Sequence, residues 1–177
     1  MPRNPRQELA GGVHHVYARG NRRQPIYTDD RDRRRYLWLL GRAVSEHRWR
    51  CLAYCLMPNH VHLLLETPEP NLGAGLQLVH GSYARWFNER HGHVGHLFQR
   101  PYGAKLVRTD MQLATVVRYL ALNPVAAGLC ERPEDWRWGS CCEPRPPWLD
   151  HARLLQYVGA EGGNPWRRYG ELTATLK

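Results

Sequence analysis

Two apolar runs, residues 49–57 and 60–66, are separated only by Pro58-Asn59. Two turn-forming residues between two apolar runs leave room for little except a β-hairpin, so the runs are read as neighbouring antiparallel strands. Successive side chains of a strand point to opposite faces. His60 and His62 therefore project from one face, while Val61, Leu63 and Leu65 project from the other. Two imidazoles side by side make a metal clamp, although a His-x-His pair alone is more often exposed or simply hydrogen-bonded.

The remaining elements follow from periodicity. Residues 13–19 read as a first strand ending at Gly20-Asn21. Residues 29–47 carry Tyr36, Leu37, Leu39, Leu40 and Val44 at helical spacing, with Arg31, Arg33, Arg34 and Arg35 mostly on the opposite side. After a loop at 68–72, Leu76, Val79, Tyr83, Trp86 and Phe87 mark a second helix closed by Gly92. Residues 98–107 form a strand with an irregular start around Pro101 and Gly103. Thr109-Asp110-Met111-Gln112 has a capping-box pattern and opens a third helix with Leu113, Val116, Val117 and Leu120 as its apolar stripe. Pro124 disfavours helix at Asn123, so that helix is expected to end there.

The order strand, helix, strand, strand, helix, strand, helix is the split β-α-β pattern of a ferredoxin-like (RRM-like) α+β sandwich, an antiparallel sheet with helices packed on it, extended by one helix. The main domain is placed at 1–130. Residues 131–177, rich in Trp and Pro, are read as a partly structured, irregular tail with one short helix about 150–157.

The chain has 177 residues and a formal net charge of +9, and its 25 Lys and Arg are arginines apart from Lys105 and Lys177. Arginine suits bidentate phosphate contacts and stacking on bases, which favours a polyanionic partner over an acidic small molecule. Residues 1–23 are polar and lack the apolar core of a secretory signal, and no apolar stretch reaches membrane-spanning length. A cytoplasmic protein without membrane contact is expected. Cys51, Cys55, Cys130, Cys141 and Cys142 form no even disulfide framework, and a zinc site from Cys51, Cys55, Cys141 and Cys142 would lack the usual CxxC pairs.

Tyr119 and Asn123 lie four apart on the third helix, hence on one face, away from the stripe of Leu113, Val117 and Leu120. If that helix lies on the sheet face presenting the histidines, the Asn123 amide oxygen completes a metal shell beside a phenol. The plainer alternative is a packing tyrosine and a helix-capping asparagine.

The segments Tyr54-Cys55-Leu56-Met57-Pro58-Asn59-His60-Val61-His62-Leu63-Leu64 and Tyr119-Leu120-Ala121-Leu122-Asn123-Pro124-Val125-Ala126-Ala127-Gly128-Leu129 closely resemble the two signature blocks of the single-tyrosine HUH transposases, most of all their REP-associated branch. Weaker likenesses lie at Arg19-Gly20-Asn21-Arg22 and Phe98-Gln99-Arg100-Pro101-Tyr102, so the resemblance spans residues 13–140. It implies that His60 and His62 are metal ligands, that Asn123 takes the helical third-ligand position where some relatives carry glutamine, and that Tyr119 is the nucleophile on a catalytic helix. An imidazole, amide and water shell suits Mg2+ or Mn2+ better than zinc.

The implied reaction is transesterification, in which Tyr119 attacks phosphorus to form a 5′-phosphotyrosine bond and free a 3′-hydroxyl. The substrate is expected to be single-stranded or hairpin DNA at REP-like palindromic repeats, with Arg19, Arg22, Arg23, Arg100 and Lys105 as backbone contacts and Tyr102 as a stacking platform. Monomer and homodimer both remain open. A replication initiator or relaxase shares the clamp and tyrosine, but compact length and the lack of a helicase motif disfavour it. A non-catalytic RNA- or DNA-binding module of the same fold predicts stacking aromatics in an RRM-like signature, which this sequence lacks.

Overall fold

The structure, a computed structural model, describes residues 9–159. Its elements run β1 Gly12–Arg19, α1 Asp30–Glu46, β2 Arg50–Met57, β3 His60–Thr67, α2 Leu72–His91, β4 Gly103–Val107, α3 Asp110–Ala126 and α4 His151–Gly159. The four strands form one antiparallel sheet in the order β2-β3-β1-β4. This is the ferredoxin-like arrangement expected from the element order.

The sheet divides the molecule. On one face Val16, Ala18, Val61, Leu63 and Leu65 pack against Tyr36, Leu40 and Val44 of α1 and Leu76, Val79 and Tyr83 of α2. On the other, Val13, Leu52, Ala53 and Leu64 meet Leu113, Val117 and Leu120 of α3 and Leu154 and Val158 of α4. With both faces covered, β2 and β3 are buried along most of their length, so their sequences read as near-continuous apolar runs. The register of β2 against β3 slips between Cys51 and Ala53. The slip turns Leu52 and Ala53 toward the same helix pair, a bulge that an unbroken apolar run conceals.

Caps fix the helix ends. The Asp29 carboxylate accepts from the backbone N–H groups of Arg31 and Asp32 and starts α1. Thr109 accepts from Gln112 N at 3.2 Å, while Gln112 Oε1 accepts from Arg108 N at 2.8 Å. The end of α3 departs from expectation: the helix passes through Pro124 to Ala126. Pro124 falls in the last turn, and the N–H groups of Ala127, Gly128 and Leu129 close on the carbonyls of Asn123, Val125 and Pro124. Tertiary burial of Pro124 and this closing turn outweigh the proline's local preference. The fourth strand also proves shorter than the expected 98–107, since Phe98 makes only an isolated bridge to Gly20.

Residues 136–150 run along the free edge of β2. Leu56 N donates to Trp138 O, Ser140 N to Tyr54 O and Asp150 N to Cys51 O, at 2.9, 2.9 and 2.8 Å. Trp138 and Leu149 are buried there. Of the tail expected over 131–177, residues 160–177 lie outside the described residues. Among the described residues no helix is long and apolar enough to cross a membrane.

Candidate active site

The strand β3 and the helix α3 bring four side chains together. His60 pairs across the sheet with Arg19, His62 with Tyr17, and both histidines face α3. His62 is 6% exposed, whereas Tyr119, one ring away across a 5.1 Å centroid separation, is 48% exposed. The Tyr119 hydroxyl lies 3.4 Å from His62 Nε2. Asn123, one turn along, faces His60.

Each imidazole is held from behind. His60 Nδ1 lies 2.6 Å from Asn59 Oδ1, and Asn59 Nδ2 in turn donates to Arg23 O at 3.0 Å. That orientation of the Asn59 amide makes His60 Nδ1 the donor and leaves Nε2 with its lone pair. The Asn123 side chain favours the protonated form of His60, and among the described residues Asn123 Nδ2 is buried without a hydrogen-bond partner. On the other ring, His62 Nδ1 lies 3.1 Å from Nε2 of His15.

Electrostatics keep these rings neutral. Burial, then His60, His15 and Arg19, push His62 down to about 3. Burial and Lys105 lower His15 to about 4, and burial and Arg19 lower His60. Neutral imidazoles with fixed tautomers are the form that binds metal. Among the described residues no group of three or more His, Cys, Asp or Glu side chains is placed to hold a metal ion, the cysteines included.

A model of the "Transposase IS200 like" family matches residues 11–123. The chain belongs to the IS200-like transposase family. The matched span holds His60, His62, Tyr119 and Asn123, with Asn123 as its last residue. The chain is also 29% identical over 110 residues to a Haemophilus influenzae protein that carries the provisional name REP-associated tyrosine transposase, covering 55% of this chain and 62% of that one. The chain thus spans less than two thirds of that relative's length. In fold it resembles a REP-associated tyrosine transposase solved bound to a REP hairpin, with a TM-score of 0.66, 17% identity and coverage of 79% of this chain and 82% of that one.

The charged and aromatic residues of this family member divide by location. Arg19 and Lys105 are exposed, occupy the α3 face of the sheet and flank the histidines. Arg22 and Arg23 sit in the turn after β1, both at positive φ (52° and 62°), where the Arg23 carbonyl anchors Asn59. Arg100 lines a separate groove of about 690 Å³ between α2 and the 95–102 loop. Tyr102 is only 7% exposed and packs near His80 on the opposite face, so it presents no platform beside Tyr119. Its neighbour Gly103 faces the site and the pleat turns Tyr102 away. Sequence reasoning overlooked His15 and Tyr17, which line the histidines from β1. The alternation that placed His60 and His62 together was their signal, because Val13, His15, Tyr17 and Arg19 share a face in the same way.

Proposed function

We propose that this IS200-like transposase cleaves and rejoins single-stranded or hairpin DNA through a covalent link on Tyr119, at REP-like palindromic repeats. The observation that carries the reading is the Tyr119 phenol, half exposed and 3.4 Å from His62 Nε2, on the same helix as Asn123. The names of the relative and of the structural neighbour support the choice of repeat.

In this reading Tyr119 Oη attacks the scissile phosphorus in line. The new phosphorus–Oη bond replaces the bond to the 3′ oxygen, which leaves with a proton as a 3′-hydroxyl. The phenolic proton is released to solvent. Arg19 and Lys105 hold the negative phosphate against the histidine face. Because a phosphodiester is exchanged for a phosphodiester, a 3′-hydroxyl reverses the step and rejoins DNA without external energy.

The donor set fits a divalent ion. Two neutral imidazoles and the Asn123 amide, whose Nδ2 has no hydrogen-bond partner among the described residues, make an environment suited to a cation. Mg2+ or Mn2+ held by His60, His62 and Asn123 would supply Lewis-acid polarisation of a non-bridging phosphate oxygen.

The test is incubation of the protein and its Tyr119→Phe variant with labelled hairpin DNA carrying unpaired flanks, taken from repeats beside its own gene, with Mn2+. A covalent adduct on a denaturing gel from the parent protein alone is the expected result. Binding by both proteins with neither adduct nor nick overturns the catalytic reading for that DNA.

A further inference from the structure

Tyr17 has no part in the chemistry above, yet it stands on the same face in an unusual posture. It pairs with His62 on one side and with Gly103 on the other. A Cβ at Gly103 would meet Tyr17 Cζ at 2.3 Å, Cε2 at 2.4 Å and the hydroxyl at 2.6 Å. The phenol therefore lies down across β4, over the one residue type that leaves room for it. Tyr17 as a residue is 38% exposed.

The surroundings of this ring are those of a strand track. His15 and His62 border it, with ring centroids at 5.7 and 6.4 Å, and Tyr119 lies on the far side of His62. Arg19, the next position on this face of β1, and Lys105, the next on β4, are exposed cations on either side. An aromatic face between cations is how proteins hold unpaired nucleotides: the cations follow the phosphates and the ring stacks on a base. A packing role alone does not require a glycine bed that leaves the ring open to solvent.

We propose that Tyr17, bedded on Gly103, is the stacking platform for an unpaired nucleobase flanking the scissile phosphate. The inference rests on the reading of Tyr119 as nucleophile, because that reading brings the strand to this face. Stacking uses the ring and not the hydroxyl, so Phe serves at position 17 and Ala does not.

The test uses Tyr119→Phe protein, which cannot be trapped on DNA, and the same hairpin with 2-aminopurine placed at each unpaired position in turn. With Tyr17 present, fluorescence is expected to change on binding at one or two adjacent positions. Tyr17→Ala should abolish that change and weaken binding about five- to a hundredfold, the range of one base–aromatic stack. Tyr17→Phe should preserve both. Gly103→Ala, which evicts the ring while leaving Tyr17 in the sequence, should imitate Tyr17→Ala.

Undiminished affinity and an unchanged fluorescence profile in folded Tyr17→Ala protein overturn the platform. So does loss of binding and of the fluorescence change in folded Tyr17→Phe protein, since that assigns the contact to the hydroxyl and not to the ring. The adduct assay stands apart from the fluorescence assay. If the parent protein forms no adduct while the position-specific signal persists, the platform holds and the nucleophile assignment fails. Adduct formation without any dependence on Tyr17 is the reverse outcome.

Discussion

At the scale of single residues, His15 lies behind one of the two imidazoles proposed to hold a metal and would tune it. Its Nε2 lies 3.1 Å from His62 Nδ1 and, kept neutral by burial, can accept that N–H, which leaves the Nε2 lone pair of His62 pointing at Tyr119. His15→Ala is expected to weaken Mn2+ binding about 10- to 100-fold, measured by calorimetry on DNA-free protein. His60, His62, Tyr119 and Asn123 were all legible because spacings of two on a strand and four on a helix fix which side chains share a face. Tyr17 was not, because its posture depends on Gly103, a residue distant in sequence that only the β1–β4 register brings beneath it. Tyr102 was misplaced although its odd separation from Lys105 already assigned the two to opposite faces.

At the scale of elements, the start of α1 and the end of α2 are tied together by charge. Asp32 is buried and accepts from Thr28 N at 2.7 Å, from Arg90, and from His91 Nε2 at 3.0 Å, while Arg90 also bonds Asp29. Asp32→Ala leaves the Thr28 N–H without its acceptor and takes one of two carboxylates from Arg90, which keeps Asp29, and is expected to cost about 1–3 kcal/mol in urea denaturation. The elements themselves were readable from periodicity. Their irregularities were not: the bulge at Leu52 sits inside an apolar run with no alternation to interrupt, and the passage of α3 through Pro124 is decided by packing and by the N–H groups that follow. The pairing of Gly139 and Ser140 with β2 was equally hidden, since Trp and Pro content announces burial without naming the strand that provides it.

At the scale of the whole molecule, the α1–α2 side of the sheet holds a buried titratable group that contributes to acid sensitivity. His80 stacks near Phe98, and its two nitrogens lie 3.0 Å from the Tyr36 hydroxyl and 3.0 Å from Pro101 O. Burial holds it down to about 4. Unfolded chain binds this proton near 6.5 and folded protein near 4, so the unfolded state carries more protons between those values. Stability is expected to be full above about pH 6.5 and to fall as pH drops toward 4. Melting curves across that window should show a shallower decline in His80→Gln.

The four converging groups ride on only two carriers. His60 and His62 belong to one strand and Tyr119 and Asn123 to one helix, so neither pair can be adjusted internally. The assembly has the kinematics of a two-part joint set in large part by how Leu113, Val117 and Leu120 seat on Leu52, Ala53 and Leu64. A shim or a void in that seat displaces phenol and amide in step, and a lesion remote from any phosphate thereby detunes the whole ensemble at once.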